Sequence, residues 1–211
     1  TWYSGDGEKV SQGDIVIIRN GSYPGFREHT NDGSSYLFYR DYWVTYKADN
    51  GHQPVIDSIS VQNLDKWPPL ENGKSYLVFD GLKINNGVGL KSTGFVKIKN
   101  CKIFKESNNL TGFYQPYFNP NIEAVSIDAD NILIENNEIT QTYRGIGMSG
   151  DNLVIKNNTI HHVAEDGFSF PSGNNATIDS NHIYDHRKFS TTMSIYGVKL
   201  GNFFQGENVT M

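Results

Sequence analysis

The sequence predicts an all-β solenoid, and three observations carry that prediction. The stretch NLVIKNNTI (Asn152–Ile160) nearly repeats NILIENNEI (Asn131–Ile139), twenty-one residues earlier in the chain. A second, shorter apolar motif recurs between such copies. The 3.6-residue period of an amphipathic helix is almost absent, which argues against a solenoid of alternating strands and helices.

Each repeat copy alternates apolar and other residues, as at Ile132, Ile134 or Val154, so each reads as a strand with one face buried. FVKIKNCKI (Phe95–Ile103) and NATIDSNHI (Asn175–Ile183) fit the same template, and YLVFDGLKI (Tyr76–Ile84) fits it more loosely. NVTM (Asn208–Met211) opens another copy and stops. A two-residue break of Asn-Asn, Asn-Cys, Ser-Asn or Asp-Gly precedes the final isoleucine pair of each copy, and Asn and Gly tolerate the left-handed backbone of a tight corner. The second strand set reads GVGL (Gly87–Leu90), AVSI (Ala124–Ile127), GIGM (Gly145–Met148), GFSF (Gly167–Phe170) and GVKL (Gly197–Leu200).

A unit of about 20 residues with two or three short strands cannot bury its own apolar face, but stacked units can. The expected fold is therefore a parallel β-helix over residues 1–211, each coil pairing with the next. A β-sandwich would not repeat its corner chemistry in register. Asn137, Asn158 and Asn181 should stack as an amide ladder at about 4.8 Å per coil, with the single cysteine, Cys101, one coil before Asn137. Residues 1–57 read as opening coils, 58–75 as a polar, proline-bearing excursion, and 76–211 as regular coils. Inserts at 105–121 and 185–196 interrupt those coils and are candidates to wall a binding groove. The chain ends inside a coil, so it reads as lacking a C-terminal cap and as a piece of a longer chain, with an open edge suited to self-association.

QGDIVIIRNGSYPGF (Gln12–Phe26) resembles the first coil of secreted right-handed parallel β-helix proteins, the pectate lyase-like superfamily. WVTYKADNGHQPVID (Trp43–Asp57) is similar to their second coil. The resemblance implies a right-handed helix and a secreted or cell-surface location. It spans polysaccharide lyases, glycoside hydrolases, epimerases, tailspikes and adhesins, and fold alone does not choose among these.

Composition narrows the partners. The net charge is −5 with no run of Lys or Arg, which excludes a basic nucleic-acid surface. Apolar runs fall far short of the roughly 20 residues of a membrane-spanning helix. One cysteine allows no internal disulfide.

The ionisable residues concentrate beside the second strand set. Its outward positions form a small-residue column: Gly89, Ser126, Gly147, Ser169, then Lys199. The row before it runs Asn86, Glu123, Arg144, Asp166, Tyr196, and the row after it Lys91, Asp128, Ser149, Pro171, Gly201. Three readings follow. Glu123, Arg144 and Asp166 make a self-satisfying acid–base–acid ladder. Alternatively they belong to a lyase site, as the resemblance implies, with β-elimination on a uronate-containing acidic polysaccharide. Calcium on Glu123, Asp128 and Asp130 would then neutralise the substrate carboxylate, and Arg144, Lys199 or His162 would act as base or neutraliser, with Asp166 beside them. Tyr114, Tyr117, Tyr196 and Arg187 would contact sugar. The third reading, hydrolysis by Glu123 and Asp166, needs one carboxyl to stay protonated, which an arginine between them opposes. The main alternative to an enzyme is a non-catalytic structural or carbohydrate-binding segment. HHVAEDG (His161–Gly167) raises zinc, but adjacent strand residues should point apart, which argues against it. Most of the five glycosylation sequons, at Asn20, Asn109, Asn157, Asn175 and Asn208, read as chance in so Asn-rich a chain.

Overall fold

The computed structural model describes residues 13–30, 42–63, 73–104, 123–163, 166–185 and 198–200. Among them every strand pairing is parallel, and no helix occurs. The strands form three stacked faces. The first holds Ile15–Ile18, Val44–Ala48, Gly73–Asp80, Val154–Lys156 and Thr177–Asp179, with the second halves of Val88–Lys99 and Glu123–Glu135. The second holds Ser22–Tyr23, Val55–Ile56, Lys83–Ile84, Lys102–Phe104, Glu138–Thr142, Thr159–Val163 and His182–Tyr184. The third holds Phe26–Thr30, Ile59–Asn63, Arg144–Ser149, Phe168–Ser172 and Val198–Leu200, with the first halves of the two long strands. This is the parallel β-helix that the repeat predicts.

The register places like on like. On the second face Ile56, Ile84, Ile103, Ile139, Ile160 and Ile183 occupy one inward column. The first five are almost wholly buried, and burying each is worth about 1.5–3 kcal/mol. Phe26, Tyr46 and Phe79 fill the interior of the leading coils with ring centroids 4.9–5.6 Å apart. Corners repeat too. Asn100, Asn136, Asn157 and Ser180 take φ between 52° and 55°, where Gly81 serves in an earlier coil. Short polar side chains tolerate that left-handed conformation best after glycine.

The amide ladder stands as expected. Asn137 Nδ2 donates to Asn158 Oδ1 (3.0 Å), and Asn158 Nδ2 donates to Asn181 Oδ1 (2.9 Å). Cys101 heads it, its backbone N–H donating to Asn137 Oδ1 at 2.9 Å.

Two expectations need correction. The stretch 58–75 is not all excursion, because Ile59–Asn63 is a strand of the third face, with Ile59 and Val61 buried. Its alternation was overshadowed by the prolines that follow. Ser149 aligns with Ser172 rather than Pro171, because the register shifts between Gly147 and Ser149. The two serine hydroxyls lie 2.9 Å apart. The expected uncapped end falls outside the described residues.

Candidate functional site

The third face carries the predicted column. Ser60, Gly89, Ser126, Gly147, Ser169 and Lys199 lie in register on successive coils. The residues from Gly89 to Ser169 are small, so the face has a flat floor about 4.8 Å per coil in spacing. Lys91 and Asp128 pair on the next outward row, both exposed.

Beside the floor runs the ionic row. Glu123 aligns with Arg144 across one coil boundary. Arg144 Nη1 lies 3.5 Å from Glu123 Oε1, and Arg144 Nε lies 3.6 Å from Asp166 Oδ2. Thr142 Oγ1 donates to the Arg144 carbonyl at 2.8 Å, fixing the backbone that carries the guanidinium. The Arg144 side chain is 18% exposed and that of Asp166 only 1%. A desolvated cation between two carboxylates is held by both, and removing either partner leaves a charge uncompensated. Upstream, Asn86 Nδ2 donates to Asp57 Oδ1 at 2.6 Å, continuing the row as a polar ladder. Gly147 makes room for Glu123: a Cβ there would meet Glu123 Cγ at 2.7 Å.

The three expected calcium ligands are not brought together. Glu123 and Asp128 lie five residues apart on one straight strand, about 16 Å at the backbone. Asp130 lies beyond a register shift, where its Oδ1 accepts the Asp151 backbone N–H at 2.7 Å. Among the described residues no three His, Cys, Asp or Glu side chains form a metal-binding group. Tyr114, Tyr117, Arg187 and Tyr196 lie outside the described residues. Lys199 is described by its strand position alone.

A family model for the right-handed β-helix region matches residues 86–210, more than half of the chain. The chain belongs to the right-handed β-helix family. No curated protein and no solved structure matches it. Among the described residues, no helix is long and apolar enough to cross a membrane.

The β-helix gathers a second ionisable cluster at the corner where the second face ends. His161 and His162 do not point apart, as alternation predicts. His162 has φ 56°, which breaks the strand's alternation and turns its ring towards its neighbour. Their ring centroids are 4.8 Å apart and their Nδ1 atoms 2.5 Å. His162 Nε2 lies 2.8 Å from Asp185 Oδ2, and His161 Nε2 lies 3.3 Å from Glu138 Oε1. Lys102 Nζ sits 2.8 Å from the same Glu138 oxygen. Partial burial pushes the Glu138 carboxyl up, but Lys102 and then His161 outweigh it and hold it below the usual carboxylate range. The Tyr184 ring stacks on His161 at 5.0 Å. Sequence reading missed this convergence. The left-handed corner that brings the rings together recurs at Gln141, His162 and Asp185 on successive coils, and alternation carries no sign of it.

Proposed function

We propose that this β-helix is a carbohydrate-directed module that lays an extended acidic polysaccharide along its third face. The observation that supports this best is the flat column from Gly89 to Ser169, in register over four coils and bordered by charge. A polymer lying across the coils would meet small residues at Gly89, Ser126 and Ser169 that let its rings approach, with the Glu123 side chain lying over Gly147. The exposed Lys91 and the strand position of Lys199 offer cations to uronate carboxylates. Arg144 is already committed to Glu123 and Asp166, so its role here is to hold the border of the floor in shape. Polymers of this kind are met outside the cell, so the reading implies a secreted or surface location.

A second reading, β-elimination, is favoured by one observation: Lys199 stands in the same column as the floor, one coil beyond Ser169. A neutral lysine amine there would take the proton next to a uronate carboxylate while the bond from the neighbouring carbon to the glycosidic oxygen breaks, the leaving oxygen taking a proton from water. Calcium has no convergent donor set among the described residues, so no step is routed through it.

One experiment separates the readings. The protein is mixed with pectate, alginate, chondroitin and ulvan, and both binding and the ultraviolet absorbance of unsaturated uronate ends are followed. Binding without absorbance supports the module. Absorbance that vanishes in Lys199→Ala supports the lyase. Neither signal with any polymer would sink both. Gly147→Ala should weaken binding roughly tenfold in a folded chain, because the new methyl displaces the Glu123 side chain across the floor.

A further inference from the structure

We propose that His161 and His162 form an open site for one divalent transition cation of the zinc or copper(II) type. The argument starts from protons. A carboxylate only accepts, so Asp185 and Glu138 are both satisfied when the facing Nε2 atoms carry the ring hydrogens. A neutral imidazole protonated at Nε2 has its lone pair at Nδ1. In that tautomer both Nδ1 atoms carry lone pairs, and they lie 2.5 Å apart. Two lone pairs do not settle at that distance without a positive charge between them.

A metal ion supplies that charge, and the surroundings already have the form of its outer shell. Metal-bound histidines characteristically donate their second N–H to a carboxylate, which orients the ring and raises its basicity. Both rings have that arrangement. Lys102 holds the same Glu138 oxygen that faces His161, so that carboxylate stays in the outer shell. Thr140 Oγ1 lies 3.3 Å from His161 Nδ1 and supplies a third, weak oxygen donor. Two nitrogens bound at about 2.05 Å to a tetrahedral ion are about 3.3 Å apart, so the rings need to part by less than an ångström. His162 has the freedom, with its side chain 32% exposed against 14% for His161. Two imidazoles and one weak oxygen leave coordination positions for water, which makes the site open rather than structural. Two imidazoles suit zinc and copper, and they do not suit calcium. Tyr184 stacked on His161, with His182 beside Tyr184, bounds the site on the next coil.

The test uses the chelator-treated full chain in calorimetric titrations with zinc, copper(II) and calcium chlorides. One equivalent of zinc or copper should bind, and calcium should not. His161→Gln and His162→Gln should each lose at least tenfold in affinity with an unchanged melting temperature. Glu138→Gln, which leaves both ligands in place, should weaken binding by about tenfold. His182→Gln should bind as wild type. No uptake of zinc or copper by the wild-type chain would overturn the proposal, as would uptake that persists unchanged in His161→Gln.

Discussion

At the residue scale, the most demanding positions are polar groups inside the coil stack. Asn158 is 1% exposed, and its amide does four jobs at once. It donates to the Ile134 carbonyl and to Asn181, and it accepts from both the backbone and the side chain of Asn137. Truncating it strands a backbone carbonyl and a backbone N–H in the interior, at about 1–3 kcal/mol each. Asn158→Ala should therefore cost about 3 kcal/mol or more in urea unfolding, while Asn157→Ala, at an exposed corner, should cost far less. Cys101, at the head of the same ladder, tests burial through protonation. Burial pushes its thiol from 9.0 up to about 12. The unfolded chain releases that proton above pH 9 and the folded chain retains it, so the contribution is fully present below pH 9. It is lost as pH rises from about 9 towards 12, by about 1.4 kcal/mol per pH unit. The alkaline loss of stability between pH 8.5 and 10 should be smaller in Cys101→Ala than in wild type. A thiol reagent at pH 8 should label the folded chain only through unfolding.

At the element scale, register is the quantity to explain, since a one-residue slip turns every inward side chain outward. The first face carries an unbroken alternation of charge across coils: Lys47, Asp80, Lys99, Glu135, Lys156, Asp179. Lys99 Nζ lies 3.3 Å from Asp80, and Lys156 Nζ lies 3.1 Å from Glu135. Each pair is weak alone, but a slip by one coil would set like charges together along the whole column. Glu135→Lys places three lysines on successive coils. It should destabilise by about 1 kcal/mol at low salt and by clearly less in 0.5 M salt. A salt-independent loss would assign the role of Glu135 to packing. This ladder was open to sequence reading, because the repeat alignment alone stacks Lys99, Glu135, Lys156 and Asp179. The same alignment did yield the amide ladder, the third-face column and the Glu123–Arg144–Asp166 row. What it missed were features set by backbone geometry rather than by alternation. The bulge after Gly147 moves Ser172 opposite Ser149, and the left-handed turn at His162 brings two rings together. Alternation carries no signal for either, since both are set by corner geometry across neighbouring coils. The strand Ile59–Asn63 was hidden for a different reason, because the prolines beside it dominated the local composition.

At the scale of the whole molecule, each coil contacts only the next, so stability is a sum over coils and their interfaces. Strand Ile15–Ile18 pairs, among the described residues, with Val44–Ala48 alone, and its Ile15 and Ile17 side chains are 61% and 51% exposed. The second half of Glu123–Glu135 pairs on both sides and buries Ile132 and Ile134. Backbone amides should therefore exchange slowly in the described strands between Leu77 and Val163 and faster in Ile15–Ile18. The decisive contrast is between two core truncations. Ile134→Ala removes interior volume from a coil with neighbours on both sides, at about 2–5 kcal/mol. It should speed exchange at both Ile98 and Ile155, its register neighbours. Ile18→Ala, in a strand with one described neighbour, should speed exchange locally and leave Ile155 unchanged. If both variants raise exchange uniformly along the chain, the β-helix unfolds as a single cooperative unit. The 20-residue repeat would then set its architecture without dividing its stability.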